Sequence, residues 1–173
     1  MWKISFYLTL DFVEKGIEGI LLRLIQNQNI LKCLKYPSSD ALNLPNLSED
    51  DIEKLINQEG DVAETRIFFT PFDVETPDSE RAELRFFFRA FVPNQNSVLS
   101  SVNIQFEVIV SDRIWRLDNG RQRPITIVSE ILKTLNGQDI DGLGKIYFNN
   151  PIRVIRYNKY FSGYGFHPTT WVV

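Results

Sequence analysis

The sequence predicts an α+β domain in which an antiparallel sheet packs against helices. Three observations predict this class. Apolar residues recur at helical spacing near the N-terminus, two-residue alternation begins near Thr65, and a second helical pattern follows Pro124. Helices and strands grouped along the chain are typical of an antiparallel sheet. At 173 residues the chain is expected to form one domain over 1–173, mainly helical over 1–60, with the sheet and one helix over 65–173.

The first predicted element is a helix that begins near Phe12. Its apolar residues recur at steps of three and four, Asp11 is the predicted N-cap, and the pattern continues weakly until Pro37 stops it. Gly16 and Gly19 lower the helix propensity of this segment. They are therefore expected either to allow close packing or to mark a later helix start.

A second, short helix is predicted after Ser48. Ser48 and the acidic Asp51 have the spacing of a capping box, and apolar residues follow at helical spacing. This helix is expected to end near Gly60.

Strict alternation of apolar and polar residues predicts the central strands. The segments 82–92 and 101–110 alternate most clearly, which indicates a sheet with one covered and one partly open face. A shorter strand is predicted at 65–70. Further strands are predicted at Trp115, over 143–148, over 153–157, and over 163–173 with a bend or bulge at His167-Pro168. The last helix is predicted at about 124–136, with Gly137 as its stop.

Composition and charge exclude several classes of protein. A net charge of −3 argues against a protein that mainly coats nucleic acid, because such binding needs a basic surface. One Cys and one His exclude a disulfide framework and a Cys/His zinc site. The apolar runs are too short and too interrupted by charge to predict a membrane span, and the N-terminus is interpreted as mature sequence.

Two other chemistries remain as alternatives at this stage. Cys33 and His167 could form a catalytic pair in a small enzyme, although a buried structural Cys is the favoured interpretation. Interleaved basic and aromatic residues near the C-terminus could instead bind single-stranded nucleic acid. The basic residues of that alternative are Arg153, Arg156 and Lys159.

Surplus apolar surface is the more informative signal. The chain contains 13 Phe residues, and in the strand 82–92 they fall on both predicted faces. Exposed apolar patches of this kind mark association with another chain. The alternative is that helices cover both faces of the sheet. The candidate subunit contacts are Arg85, Phe87, Arg89, Phe91 and Ile109.

The second half of the chain resembles small neck and tail-completion proteins of tailed bacteriophages, of the tail-terminator type. The resemblance covers residues 101–173, and the first half is similar only in outline. It is carried by the runs Ile114–Gly120, Arg123–Pro124, Leu135–Gly137, Gly142–Phe148 and Phe161–Tyr164. Tail terminators are α+β domains that form rings, usually hexameric, on the last ring of the tail tube.

The resemblance implies a structural ring subunit with no catalytic residues, no metal and no cofactor. Its partners would be further copies of itself, the tail-tube protein and the head-closure or connector protein, with DNA passing through the lumen without specific binding and no membrane contact. It would be assembled in the host cytoplasm and reside in the virion. A head-closure or adaptor role is the alternative within the neck. The candidate axial contacts lie in two long strand connections, at Asp73, Glu75, Asp78, Glu80, Asn94 and Asn96.

Overall fold

The computed structural model describes residues 14–57, 63–71, 80–93, 100–169 and 171–172. Its architecture is α+β, as predicted. The helices in the described residues are 14–24 (α1), Gln28–Lys35 (α2), Glu49–Ile56 (α3) and Arg123–Leu135 (α4). The strands are Ile67–Phe68 (β1), Ala82–Pro93 (β2), Ser100–Ser111 (β3), Asp139–Ile140 (β4), Gly144–Lys145 (β5), Arg153–Arg156 (β6), Phe161–Phe166 (β7) and Trp171–Val172 (β8).

The main sheet has the strand order β1-β2-β3-β7-β6, and β8 also pairs with β3. All of these pairs are antiparallel except β1–β2, which is parallel. The predicted strand at 65–70 is therefore shorter than expected, and it pairs in parallel with β2, whereas the sequence predicted an antiparallel sheet. Strand β6 lies at one edge of the described sheet, and β1 lies at the other.

The N-terminal helical pattern is divided into two helices, whereas the sequence predicted one. The side chain of Asn27 accepts hydrogen bonds from the backbone N–H groups of Asn29 and Ile30, and this cap starts α2. Gly16 and Gly19 allow close packing, because an added Cβ would overlap the side chains that α1 contacts in the β4–β5 region. The predicted cap at Asp11 lies outside the described residues. Within the described part of the chain, no helix is both long and apolar enough to cross a bilayer.

The capping box at the start of α3 is confirmed. The side chain of Ser48 accepts a hydrogen bond from the backbone N–H of Asp51. The helix ends at Ile56, earlier than predicted. Helix α4 also agrees with its prediction, since Pro124 lies in its first turn and Gly137 follows its end with φ at +75°.

A β-bulge interrupts the pairing of the two long strands. The register shifts by one residue between Phe88 and Ala90, so Arg89 is the extra residue of β2. Before the bulge, Leu84 and Phe86 alternate with Glu83 and Arg85. Beyond it, the backbone pairing of β2 with β3 is displaced by one residue.

Two predicted strands take a different form. Trp115 follows a 3-10 turn at Asp112–Ile114 and has helical backbone angles, so it does not lie in a strand. The segment 143–148 contributes only the two-residue β5, which pairs with β4 in a small separate sheet. The predicted last strand is divided into β7 and β8, which keep one register against β3 on either side of His167-Pro168, so no bulge is inserted there.

One face of the sheet, here called the core face, packs against α2 and α4. Phe86, Phe106 and Phe166 are neighbours across β2, β3 and β7, and their rings stack with centroids 5.6 and 5.4 Å apart. Phe69 and Phe148 extend this row at 5.1 and 5.7 Å. Five of the Phe residues therefore stabilise the protomer itself, since aromatic packing of this kind fills a core.

Candidate association surface

The side of the sheet opposite the core face, here called the outer face, holds two of the predicted subunit contacts. Arg85 is only 3% exposed and forms an ion pair with Glu83, with an Nη2–Oε2 distance of 2.7 Å. Its guanidinium carbon lies 4.2 Å from the centroid of the Phe68 ring. Ile109 is 2% exposed. The assignment of Arg85 and Ile109 as contacts to a neighbour is therefore corrected, because both are enclosed within the protomer.

The ion pair on the outer face belongs to a larger polar cluster. The hydroxyl of Tyr157 donates to Glu107 at 2.5 Å, and Arg81 pairs with Glu83 from the other side. Burial, together with the hydrogen bond to Glu107, raises the pKa of Tyr157 well above its ordinary range. The hydroxyl therefore stays protonated and remains a donor to the carboxylate. Through this hydrogen bond, the cluster holds Tyr157, the residue after β6, against Glu107 on β3.

The other predicted contacts on β2 lie at or near the bulge. Phe87 is half-buried, while Phe88 and Arg89 are exposed. The side chain of Phe91 lies outside the described residues. Arg89 is therefore a predicted contact on this strand that is exposed, and Phe88, which was not predicted as a contact, is exposed beside it.

Most of the predicted axial contacts lie outside the described residues. Among them only Glu80 is described, and it is exposed and pairs with Arg113 at 3.3 Å. An exposed ion pair of this kind contributes little to stability. The predicted contacts outside the described part of the chain are Asp73, Glu75, Asp78, Asn94 and Asn96.

The basic residues near the C-terminus do not form one strip. Arg153 and Arg156 are both exposed, but they are three positions apart in β6 and so lie on opposite faces of the sheet. Lys159 lies beyond the strand, with its Nζ 4.6 Å from the centroid of the Tyr160 ring. A single-stranded nucleic acid that follows one face would therefore meet only one of the two arginines.

The lone Cys is a buried side chain. Cys33 is fully enclosed in the core, and this burial raises the pKa of its thiol to about 11. The thiol is therefore protonated at neutral pH, which is the unreactive form. His167 is half-buried. No group of three or more His, Cys, Asp or Glu residues that could hold a metal ion occurs among the residues that the structure describes.

An exposed apolar surface occurs at the β6 edge, where the sequence did not predict a subunit contact. Val154 is 72% exposed and Ile152 is 43% exposed, and they lie beside the exposed arginines of β6. In the described sheet β6 has a neighbouring strand on one side only. Among the residues that the structure describes, its other side therefore has no partner strand, and its backbone N–H and C=O groups can pair with another chain.

A groove on the core-face side lies next to this edge. Its volume is about 660 Å³, and it lies against the outward side of α4 and the half-buried Tyr164 of β7. Tyr164 is paired with Val154, so the groove and the exposed edge are continuous. Residues that line the groove include Arg121, Ile125, Ser129 and Lys133. Together, Ile152, Val154, the two β6 arginines and this groove are called the edge surface below.

The edge surface could have been found in part from the sequence. Residues 145–173 contain Lys145, Arg153, Arg156 and Lys159 but no Asp or Glu. That composition marks a region that is basic within an acidic chain. The sequence could not show that β6 would be an edge strand, because strand order depends on long-range pairing.

Comparison with known proteins gives one match. The model of the YomW family matches residues 27–170, which is most of the chain. No curated protein and no solved structure matches the chain. The matched segment includes α2, α3, α4, the long central strands and the whole edge surface. The chain belongs to the YomW family, a phage-derived family of the Bacillus prophage type.

Proposed function

We propose that the chain is a structural subunit of a phage particle and that it assembles with further copies into a ring at the neck or tail end. The observation that carries this proposal is the edge surface. It combines exposed Val154 and Ile152 with the edge of β6, which has no second neighbouring strand among the described residues. Pairing along such an edge supplies main-chain hydrogen bonds, while pockets beside it accept side chains.

The form of the edge favours a specific partner over indiscriminate aggregation. Strand β6 has only four residues and begins and ends with arginine. Short edge strands that carry charge resist random edge-to-edge pairing. A partner must therefore match both the apolar centre and the flanking charges.

The finer role that we propose is that of a tail terminator, which caps the tail tube and joins it to the head connector. The phage origin of the family supports a role in the particle. The size of the chain and its α+β fold suit a small ring subunit, which needs two different complementary faces around a closed axis. The net charge of −3 also suits a lumen through which DNA passes without binding.

Deletion of the coding sequence from an inducible lysogen tests the function. We expect particles in which tails are abnormal in length or are not joined to heads, as seen by negative-stain electron microscopy. Expression of the wild-type chain in trans should restore joined particles. A variant with Val154→Asp, which places a charge in the apolar centre of the edge, should not restore them.

The matched control is Tyr147→Asp. It places the same charge on another exposed apolar residue, which does not belong to β6 or to the groove beside it. It should restore particles as well as the wild type does. Normal infectious particles from the deletion strain would contradict the proposed function.

A further inference from the structure

We propose that the edge surface of one copy docks onto the acidic side of a second copy, which is formed around α3 and β1. The inference rests on the proposed function, since a ring requires two different faces on each subunit. It specifies what those two faces are and which charges match them.

The first supporting observation is a strong separation of charge along the chain. Residues 145–173 carry four basic residues and no carboxylate, whereas residues 49–83 carry 12 Asp and Glu against three Lys and Arg. The net charge of −3 therefore conceals one basic region and one strongly acidic region.

The fold places the described parts of these two regions, α3 with β1 and strand β6, at opposite ends of the sheet. Helix α3 contacts β1, and the carbonyl of Leu55 accepts a hydrogen bond from the backbone N–H of Arg66 at 2.8 Å. Strand β6 is separated from β1 by three strands, a distance of about 19 Å at the usual strand spacing. Each protomer therefore has an acidic end and a basic end.

Helix α3 presents carboxylates that are available at the acidic end. Glu49, Asp50 and Glu53 are exposed, and they lie within about one turn of each other. Asp51 is engaged within the protomer, because Lys35 of α2 pairs with it. These three exposed carboxylates of α3 can meet the β6 arginines of a neighbour, and the exposed Glu64 before β1 adds a further carboxylate at the same end.

Charge also decides between head-to-tail contact and pairing of two identical edges. Two copies joined through β6 would bring four arginines into one ribbon, and like charges across neighbouring strands are destabilising. Contact between the basic edge and the acidic end joins opposite charges instead. Such a contact is heterologous, so it repeats from copy to copy and can close into a ring.

Sedimentation velocity on two sets of variants tests this arrangement. The edge variant carries Arg153→Gln and Arg156→Gln, and the α3 variant carries Glu49→Gln, Asp50→Asn and Glu53→Gln. We expect the wild type to form species larger than a dimer at low ionic strength and to dissociate in about 0.5 M salt, because salt screens the charges. Each variant alone should remain monomeric under both conditions.

An equimolar mixture of the two variants gives the sharpest result. The intact edge of the α3 variant can still bind the intact acidic end of the edge variant, but no other matched pair of faces remains. The mixture should therefore form dimers and nothing larger. A matched control with Arg113→Gln and Arg116→Gln, which neutralises two exposed arginines away from β6, should assemble like the wild type.

Circular dichroism should show that all variants retain the wild-type fold. A wild-type chain that is monomeric at every ionic strength, or variants that assemble as the wild type does, would overturn the docking arrangement. The deletion experiment decides the proposed function separately. If the deletion shows that particles require the chain, but the variants assemble as the wild type does, the docking arrangement is wrong and the proposed function is unaffected.

Discussion

Arg123 is a side chain that links several separate backbone segments. It is fully buried, and its Nε donates to the carbonyl of Ile114 at 2.8 Å. Its two terminal nitrogens donate to four further carbonyl oxygens at 2.6 to 3.0 Å. These acceptors are the carbonyl groups of Cys33, Tyr36, Pro37 and Ser38. One guanidinium thus joins the start of α4 to the end of α2 and to the loop that follows it.

The chemistry of arginine explains why this residue occupies the position. Its guanidinium has five N–H donors in a fixed plane, and these five hydrogen bonds all go to main-chain carbonyl oxygens. The carbonyl groups at the end of α2 lie at the negative end of the helix dipole, which favours a cation. Burial lowers the pKa of Arg123 from its ordinary value, but the group remains charged at neutral pH.

We expect Arg123→Lys to reduce the free energy of unfolding by about 2–4 kcal/mol, because lysine has three donors on a flexible stem and cannot reach all five carbonyls. Equilibrium urea unfolding measures this change. The control is Arg121→Lys, at an exposed position two residues away, which should change the free energy by less than about 0.5 kcal/mol. Equal stability of the two variants would show that the carbonyl cluster does not need the guanidinium.

Residue counts from the sequence predicted an association surface on β2 that is in part enclosed within the protomer. The number of Phe residues suggested an association patch on β2, but Phe86, Phe106 and Phe166 stack inside the protomer. The burial of Arg123 was not predicted either, because a charged residue beside Pro124 at a helix start is normally exposed. Both outcomes depend on which segments meet in space, and composition does not contain that information.

At the scale of elements, β7 shows how glycine permits close packing of strands. An added Cβ at Gly163 would overlap the backbone carbonyl of Val108 on β3. An added Cβ at Gly165 would meet the side-chain end of Ile155 on β6 instead. A side-chain end can move, whereas a carbonyl of the ladder cannot move without displacing the strand.

We therefore expect Gly163→Ala to destabilise the fold by about 3 kcal/mol and Gly165→Ala by about 1 kcal/mol. The difference arises because only the first substitution must displace the pairing of β7 with β3. Thermal unfolding followed by circular dichroism measures both, and each variant serves as the control for the other. Similar melting temperatures for the two variants would contradict this explanation.

Local sequence patterns predicted most helices and strands correctly. The features that they did not predict are determined by pairing between distant strands. The strands β2 and β3, the cap at Ser48 and the start of α4 at Pro124 are encoded within a few residues, and all three are confirmed. The expected partly open face of the sheet is wrong for the first half of β2, because Glu83 and Arg85 on that face are buried. The parallel pairing of β1 and the bulge at Arg89 depend on a distant partner strand. Neither can be predicted from spacing within one segment.

At the scale of the whole molecule, the core face of the sheet is enclosed, and the two edges of the sheet carry opposite charges. The outer face holds a buried ion-pair cluster, the core face is filled by α2, α4 and the Phe row, and the edge at β6 retains exposed apolar residues. The acidic end around α3 lies at the other edge. This arrangement suits a subunit that meets its neighbours through its two ends.

The most direct measurement of the proposed role is the position of the chain in an intact particle. Gold-labelled antibodies against the chain, applied to particles purified from an induced lysogen, show this position by electron microscopy. We predict label at a single site on each particle, at the junction of head and tail or at the tail end. Particles without label, or with label spread over the head shell or along the whole tail, would contradict the ring subunit.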